Sequence, residues 1–114
     1  MPHFVIDCSA SVLDHCDEEF IIKQVHLVAN ATGLFVESDI KVRVNPFNRY
    51  SVGDQRQDFI HVFAHIMQGR STEQKANLSK QVVAKLMTLF PDIVHIAMNI
   101  SDFEKKSYCH RDML

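Results

Sequence analysis

Apolar residues recur at every second position over 3–8 (HFVIDC). Phe4, Ile6 and Cys8 share one side and His3, Val5 and Asp7 the other, which is the period of a strand. Short polar residues follow, Ser9, Ser11, Asp14 and Asp17. These types accept hydrogen bonds from the free N–H groups at a helix start. From about Asp17 to Thr32 the period lengthens, and Ile21, Val25, Val28 and Ala29 fall on one helical stripe. Gly33 comes next and suits a left-handed position just past a helix end. Residues 39–45 (DIKVRVN) alternate again, with Ile40, Val42 and Val44 opposed to Lys41, Arg43 and Asn45; Pro46 limits pairing beyond.

Gly53-Asp54 signals the turn into a third strand at 58–67 (DFIHVFAHIM). Ser71 with Gln74 has the spacing of a capping box, and Leu78, Val82, Leu86 and Phe90 then mark a second amphipathic helix. Pro91-Asp92 stops it, and 93–100 (IVHIAMNI) reads as a fourth strand. The order is strand–helix–strand, twice. It predicts an α+β chain in which two right-handed βαβ units form a four-stranded sheet with two helices on one face. The expected organisation is one domain over 1–114, with similar halves at about 2–45 and 58–100 and a loosely packed polar tail at 101–114. The second sheet face is expected to carry Phe59, Phe63, Met67, Ile93 and Ala97. That is apolar enough to need a partner, and a symmetric oligomer with its sheets turned inward satisfies it.

Composition narrows the classes. Apolar residues make up 46% and charged residues 23%, the balance of a folded globular chain rather than a disordered one. A net charge of −2 with mixed signs gives no basic footprint for nucleic acid. No apolar run approaches the ~18 residues of a membrane span, and the start shows no secretory signal. Cys8, Cys16 and Cys109 are odd in number and lack CxxC spacing, so reduced thiols and a cytoplasmic location are expected. His61 and His65 share a strand face about 13 Å apart, too far for one metal ion. His26 and His95 read as core or interface histidines, and no metal site is expected.

Four features stand together: Pro2 directly after Met1, the doubled βαβ order, Ala31-Thr32-Gly33-Leu34-Phe35 ahead of Ile40-Lys41-Val42-Arg43-Val44, and Asp58-Phe59-Ile60-His61-Val62 leading into Gln68-Gly69-Arg70-Ser71. In these, and in the opening PHFVIDCS, the chain resembles the 5-carboxymethyl-2-hydroxymuconate isomerase family of the tautomerase superfamily. The resemblance runs from Pro2 to about Ile100. It implies a trimer of tautomerase-like subunits. It implies ketonisation of a 2-hydroxymuconate in homoprotocatechuate breakdown, without metal or organic cofactor. Residue by residue, it implies that Pro2, freed of Met1, is the acid/base and that Arg70 binds a substrate carboxylate. The family's I-R-x-R-V segment has lysine at position 41 here and keeps its second arginine as Arg43. Lysine holds the charge but loses the two-pronged grip on a carboxylate. Two alternatives stand beside this reading: a tautomerase of another unsaturated keto or enol acid, and a trimeric binding protein without turnover.

The chemistry suits these residue types. An α-amino group titrates at about 7.7–8.0 when free. Burial and neighbouring cations lower that value, and a base poised near the working pH moves protons efficiently. Arg70 and Lys41 or Arg43 would orient a multiply charged acid and offset charge developing on its dienolate.

Overall fold

The computed structural model describes residues 1–114. Four strands, β1 (His3–Ser9), β2 (Lys41–Phe47), β3 (Phe59–Met67) and β4 (His95–Phe103), alternate with two helices, α1 (Glu18–Ala31) and α2 (Thr72–Leu89). The pairs β1/β2 and β3/β4 are parallel, each bridged by one helix. The two units join where β1 meets β3 antiparallel, giving the sheet order β2-β1-β3-β4. No helix is long and apolar enough to cross a membrane.

Strand alternation decides the core. Phe4, Ile6 and Cys8 of β1 and Ile60, Val62 and Ala64 of β3 turn to the helices. They meet Ile21, Val25 and Ala29 of α1 and Leu78, Val82 and Leu86 of α2. Each large aliphatic or aromatic side chain so placed contributes about 1.5–3 kcal/mol. Cys8 behaves as a small apolar residue there, and burial pushes its thiol up to about 11. Asp17 caps α1, accepting from Phe20 N at 2.8 Å. On α2, Ser71 Oγ accepts from Gln74 N at 3.1 Å and Gln74 Oε1 accepts from Ser71 N at 2.9 Å, completing the expected capping box.

Several expectations change. β2 begins at Lys41 and continues through Pro46, which lies opposite Cys8. β2 is an edge strand, so the missing proline N–H disrupts no inner ladder. β4 starts at His95 and takes in Ser101, Asp102 and Phe103, so the start of the supposed tail is paired with β3. Ile93 precedes β4 and packs against the core instead of the second face. That second face is mixed in character. Register puts His3, Val5 and Asp7 of β1 beside Lys41, Arg43 and Asn45 of β2 and beside His65, Phe63 and His61 of β3. His95 is exposed and bonds Gln57 at 2.9 Å, and half-buried His26 pairs with Glu37 at 2.8 Å, so neither is a core residue.

Ser9 and Ser11 do not begin α1. Both hydroxyls donate to Asp58 Oδ1, that of Ser9 at 2.9 Å, and Ser9 Oγ accepts from Phe59 N at 3.2 Å. Ser9 is fully buried, so this cluster locks the end of β1 to the start of β3. The Ser11 hydroxyl, opposed by burial and helped by Ser9 and His15, holds the Asp58 carboxyl below its usual 3.8. A depressed native pKa means the carboxylate's contribution is complete above 3.8 and is lost as pH falls through the native value. Asp58→Asn is therefore expected to cost about 1–2 kcal/mol at pH 7 in urea unfolding. The deficit against wild type should shrink at pH values below 3.8.

Candidate active site

Strand directions gather one set of chain segments at a single end of the sheet. β1 and β2 start there because they are parallel; β3 and β4 finish there because β3 runs against β1. Pro2 leads into β1 and is buried. Its carbonyl accepts from Lys41 N at 3.1 Å, which fixes the first residue of β2 beside it. At the end of β3, Gly69 takes a φ of +123°, a value that favours glycine, and turns the chain so that Arg70 precedes the α2 cap. Gly33, at φ +72°, ends α1 and sends Leu34 and Phe35 across the same end.

Arg70 is held from three directions. Nη2 donates to Leu34 O at 2.7 Å and Nη1 donates to Met67 O at 3.2 Å. The guanidinium carbon lies 5.0 Å from the Phe35 ring centroid, within cation–π range. The side chain thus turns to carbonyls and a ring. Two bonded donors out of five leave three for another acceptor. Lys41 Nζ donates to Asp39 O at 2.9 Å and lies 3.7 Å from Met1 Sδ.

The electrostatics follow. The Met1 ammonium is pushed below its ordinary 8.0, first by burial and then by the positive charges of Arg70 and Lys41, with Asp39 opposing. Arg43 stands elsewhere. It lies opposite Val5, two residues deeper along β1 than His3, the partner of Lys41. Its Nη1 is 3.1 Å from His3 Nδ1. Arginine can only donate, so that ring nitrogen accepts. Burial, then Arg43, Lys41, His65 and the N-terminus hold the His3 pKa down, favouring the neutral ring. Of the residues singled out in the sequence, Pro2, Lys41 and Arg70 therefore come together, and Arg43 sits a step away on the open sheet face.

Reading the sequence passes over Asp39, Phe35 and Phe103. Phe35 lies inside the Ala31–Phe35 segment, where the sequence marks it only as part of a pattern. Phe103 fell in the supposed tail, yet its ring centroid lies 6.1 Å from His3 and 6.3 Å from His65. A groove of about 590 Å³ runs between α1 and the free edge of β2, with Ile22, His26, Ile40 and Lys41 among its walls. It shares Lys41 with the gathered end, whereas neither Pro2 nor Arg70 lines it.

Solved structures share this architecture. A 5-carboxymethyl-2-hydroxymuconate isomerase from Deinococcus radiodurans R1 superimposes with a TM-score of 0.85 at 18% identity, over 96% of this chain and 88% of that one. A fused 4-OT described as a symmetric trimer gives 0.77 at 14% identity, over 91% and 88% of the two chains. The fold is that of the tautomerase superfamily. Within it, the chain belongs to the 5-carboxymethyl-2-hydroxymuconate isomerase family, a family of isomerases whose model matches residues 2–111. The 5-carboxymethyl-2-hydroxymuconate Delta-isomerase of Escherichia coli is 26% identical over 106 residues, 91% of this chain and 84% of that protein.

Removing a cation that bears on an amine raises its pKa. Arg70→Ala is expected to move the α-amino titration upward toward 8.0, followed by NMR. An unmoved titration would separate Arg70 from the amine.

Proposed function

We propose that this chain, once Met1 is removed, ketonises 5-carboxymethyl-2-hydroxymuconate with the Pro2 nitrogen as its acid/base. The supporting observation is a buried Pro2 bonded to the Lys41 main chain, with Arg70 and Lys41 both bearing on the amine one residue upstream. The family match, which begins at residue 2, and the name of the E. coli relative supply the substrate.

In the proposed reaction the secondary amine takes the proton of the 2-hydroxyl. The O–H electrons form the ketone, and the conjugated double bonds shift along the chain. The same nitrogen returns the proton to carbon as the new C–H bond forms. Burial and the two cations push the Met1 ammonium below its ordinary 8.0, and the same influences would favour the base form of a freed Pro2 amine. Arg70, with donors to spare, takes one substrate carboxylate, and Lys41 contributes a point charge to a second. Arg43, engaged by His3, is left out of the direct contact. The cationic end also offsets negative charge on the dienolate between the two proton transfers. The setting we assign is cytoplasmic breakdown of homoprotocatechuate.

We further propose a homotrimer with the open sheet faces turned inward. The chain measures 45 × 25 × 25 Å, with a radius of gyration of 14.8 Å against roughly 13 Å for a compact chain of this length. Phe63 stands 37% exposed in the middle of the open face. The fused 4-OT neighbour is described as a symmetric trimer. A second reading, a different unsaturated keto acid as substrate, draws on Lys41 standing where the resemblance expects arginine.

The decisive test is a spectrophotometric assay with 5-carboxymethyl-2-hydroxymuconate on protein whose mass confirms loss of Met1. Turnover is expected from that form and none from protein retaining Met1, whose Pro2 nitrogen is an amide. Pro2→Ala, which presents a primary amine of different shape, is expected to lower kcat much more than it raises KM. Light scattering is expected to give three times the 13.1 kDa chain mass, and a stable monomer would remove the trimer.

A further inference from the structure

Phe35 lies outside every helix and strand, in the segment that leaves α1 and crosses the end of the sheet. Two contacts define its ring. One is with Phe4, at 6.0 Å between centroids and 80° between planes. Phe4 is completely buried and stands two residues from Pro2 on β1. The other is with the Arg70 guanidinium, 5.0 Å from the ring centroid. One side chain therefore ties the strand that presents Pro2 to the cation that bears on the amine.

We propose that Phe35 is a positioning residue that sets the reach of Arg70 toward Pro2 and the substrate carboxylate; this rests on the reading of Pro2 and Arg70 given above. The carbonyls of Leu34 and Met67 restrain the guanidinium from its Nη atoms, and they do so whatever side chain occupies position 35. What only an aromatic ring adds is an electron-rich face that attracts the cation. An aliphatic residue of similar volume still packs on Phe4 but offers no such face. Arg70 then keeps its two backbone partners and gains freedom of position. A charge that wanders lowers the amine pKa less and grips a carboxylate less well. The Pro2 nitrogen itself is retained and feels the change only through the arginine's charge, so binding suffers before turnover does.

The test compares Phe35→Leu, Phe35→Met and Phe35→Tyr in protein lacking Met1, each checked for wild-type folding by circular dichroism. Two quantities are read: the NMR titration of the Pro2 amine, and kcat and KM with 5-carboxymethyl-2-hydroxymuconate. Both aliphatic variants are expected to raise KM about fivefold with little change in kcat. They should also move the amine titration upward, in the same direction as Arg70→Ala. Phe35→Tyr should keep wild-type values of both. Phe35→Leu added to Arg70→Ala should cost nothing further, because its effect runs through the arginine. Wild-type titration and KM in the aliphatic variants would overturn the proposal, as would full additivity with Arg70→Ala. If wild-type protein with a free Pro2 fails to turn over this substrate, the functional reading falls. The titration then decides for Phe35 alone: an upward shift upholds the positioning role, and no shift ends it.

Discussion

The antiparallel seam between β1 and β3 is the constraint on which the rest of the molecule depends. Because the two parallel units meet antiparallel, with β1 and β3 as direct neighbours, the chain's start lies beside the exit of β3. Pro2 and Arg70 lie far apart in sequence and share one end of the sheet because of it. The seam is held at its far end by Asp58 on Ser9 and Ser11, where the carboxylate is fixed by hydroxyls. At the near end no comparable lock exists. There β1 is tied to β2 by the Lys41 N–H on the Pro2 carbonyl and by Arg43 on His3, and the anchored arginine joins the exit of β3 to the segment after α1.

The near end is also where charge is out of balance. Arg70 and Lys41 bear on the N-terminal amine against one opposing carboxylate, Asp39. Arg70 spends part of its hydrogen-bonding capacity on main-chain carbonyls, which lowers its freedom without neutralising it. Lys41 is held similarly through the Asp39 carbonyl. A cation anchored through neutral partners keeps its full field for whatever anion approaches. That arrangement differs from the Lys75–Asp102 pair, at 3.2 Å, where the charges cancel each other.

Much of this was legible in the residues. Alternation in HFVIDC and the stripe Leu78-Val82-Leu86 reported the buried faces directly, since side-chain direction is a local property of strand and helix. The Ser71–Gln74 box marked the α2 start to the residue. Edges were harder. Pro46 reads as a stop, yet an edge strand tolerates it, and edge position is set by the other strands rather than by proline itself. Ser101, Asp102 and Phe103 lack strand alternation, but their main chain follows β3 to its end. The open face is less apolar than its alternation suggests, because Ile93 turns to the core and His3, His61 and His65 share that face. For the proposed site, Pro2, Lys41 and Arg70 are suggested by a resemblance of segments. Their neighbours Phe35 and Asp39 needed three dimensions, because what matters about them is a ring face and a through-space charge.

The tie between the Pro2 carbonyl and Lys41 also bears on how the molecule can be handled. It fixes the chain's first residues in a crowded corner, between an anchored guanidinium and an edge strand. A purification handle fused at the front would have to thread out of that corner and would turn the proposed base into an ordinary peptide link. The back end offers a freer attachment point, since Leu114 stands 99% exposed. Under the proposed mechanism, the terminus that carries the tag decides whether a recombinant preparation keeps its amine free.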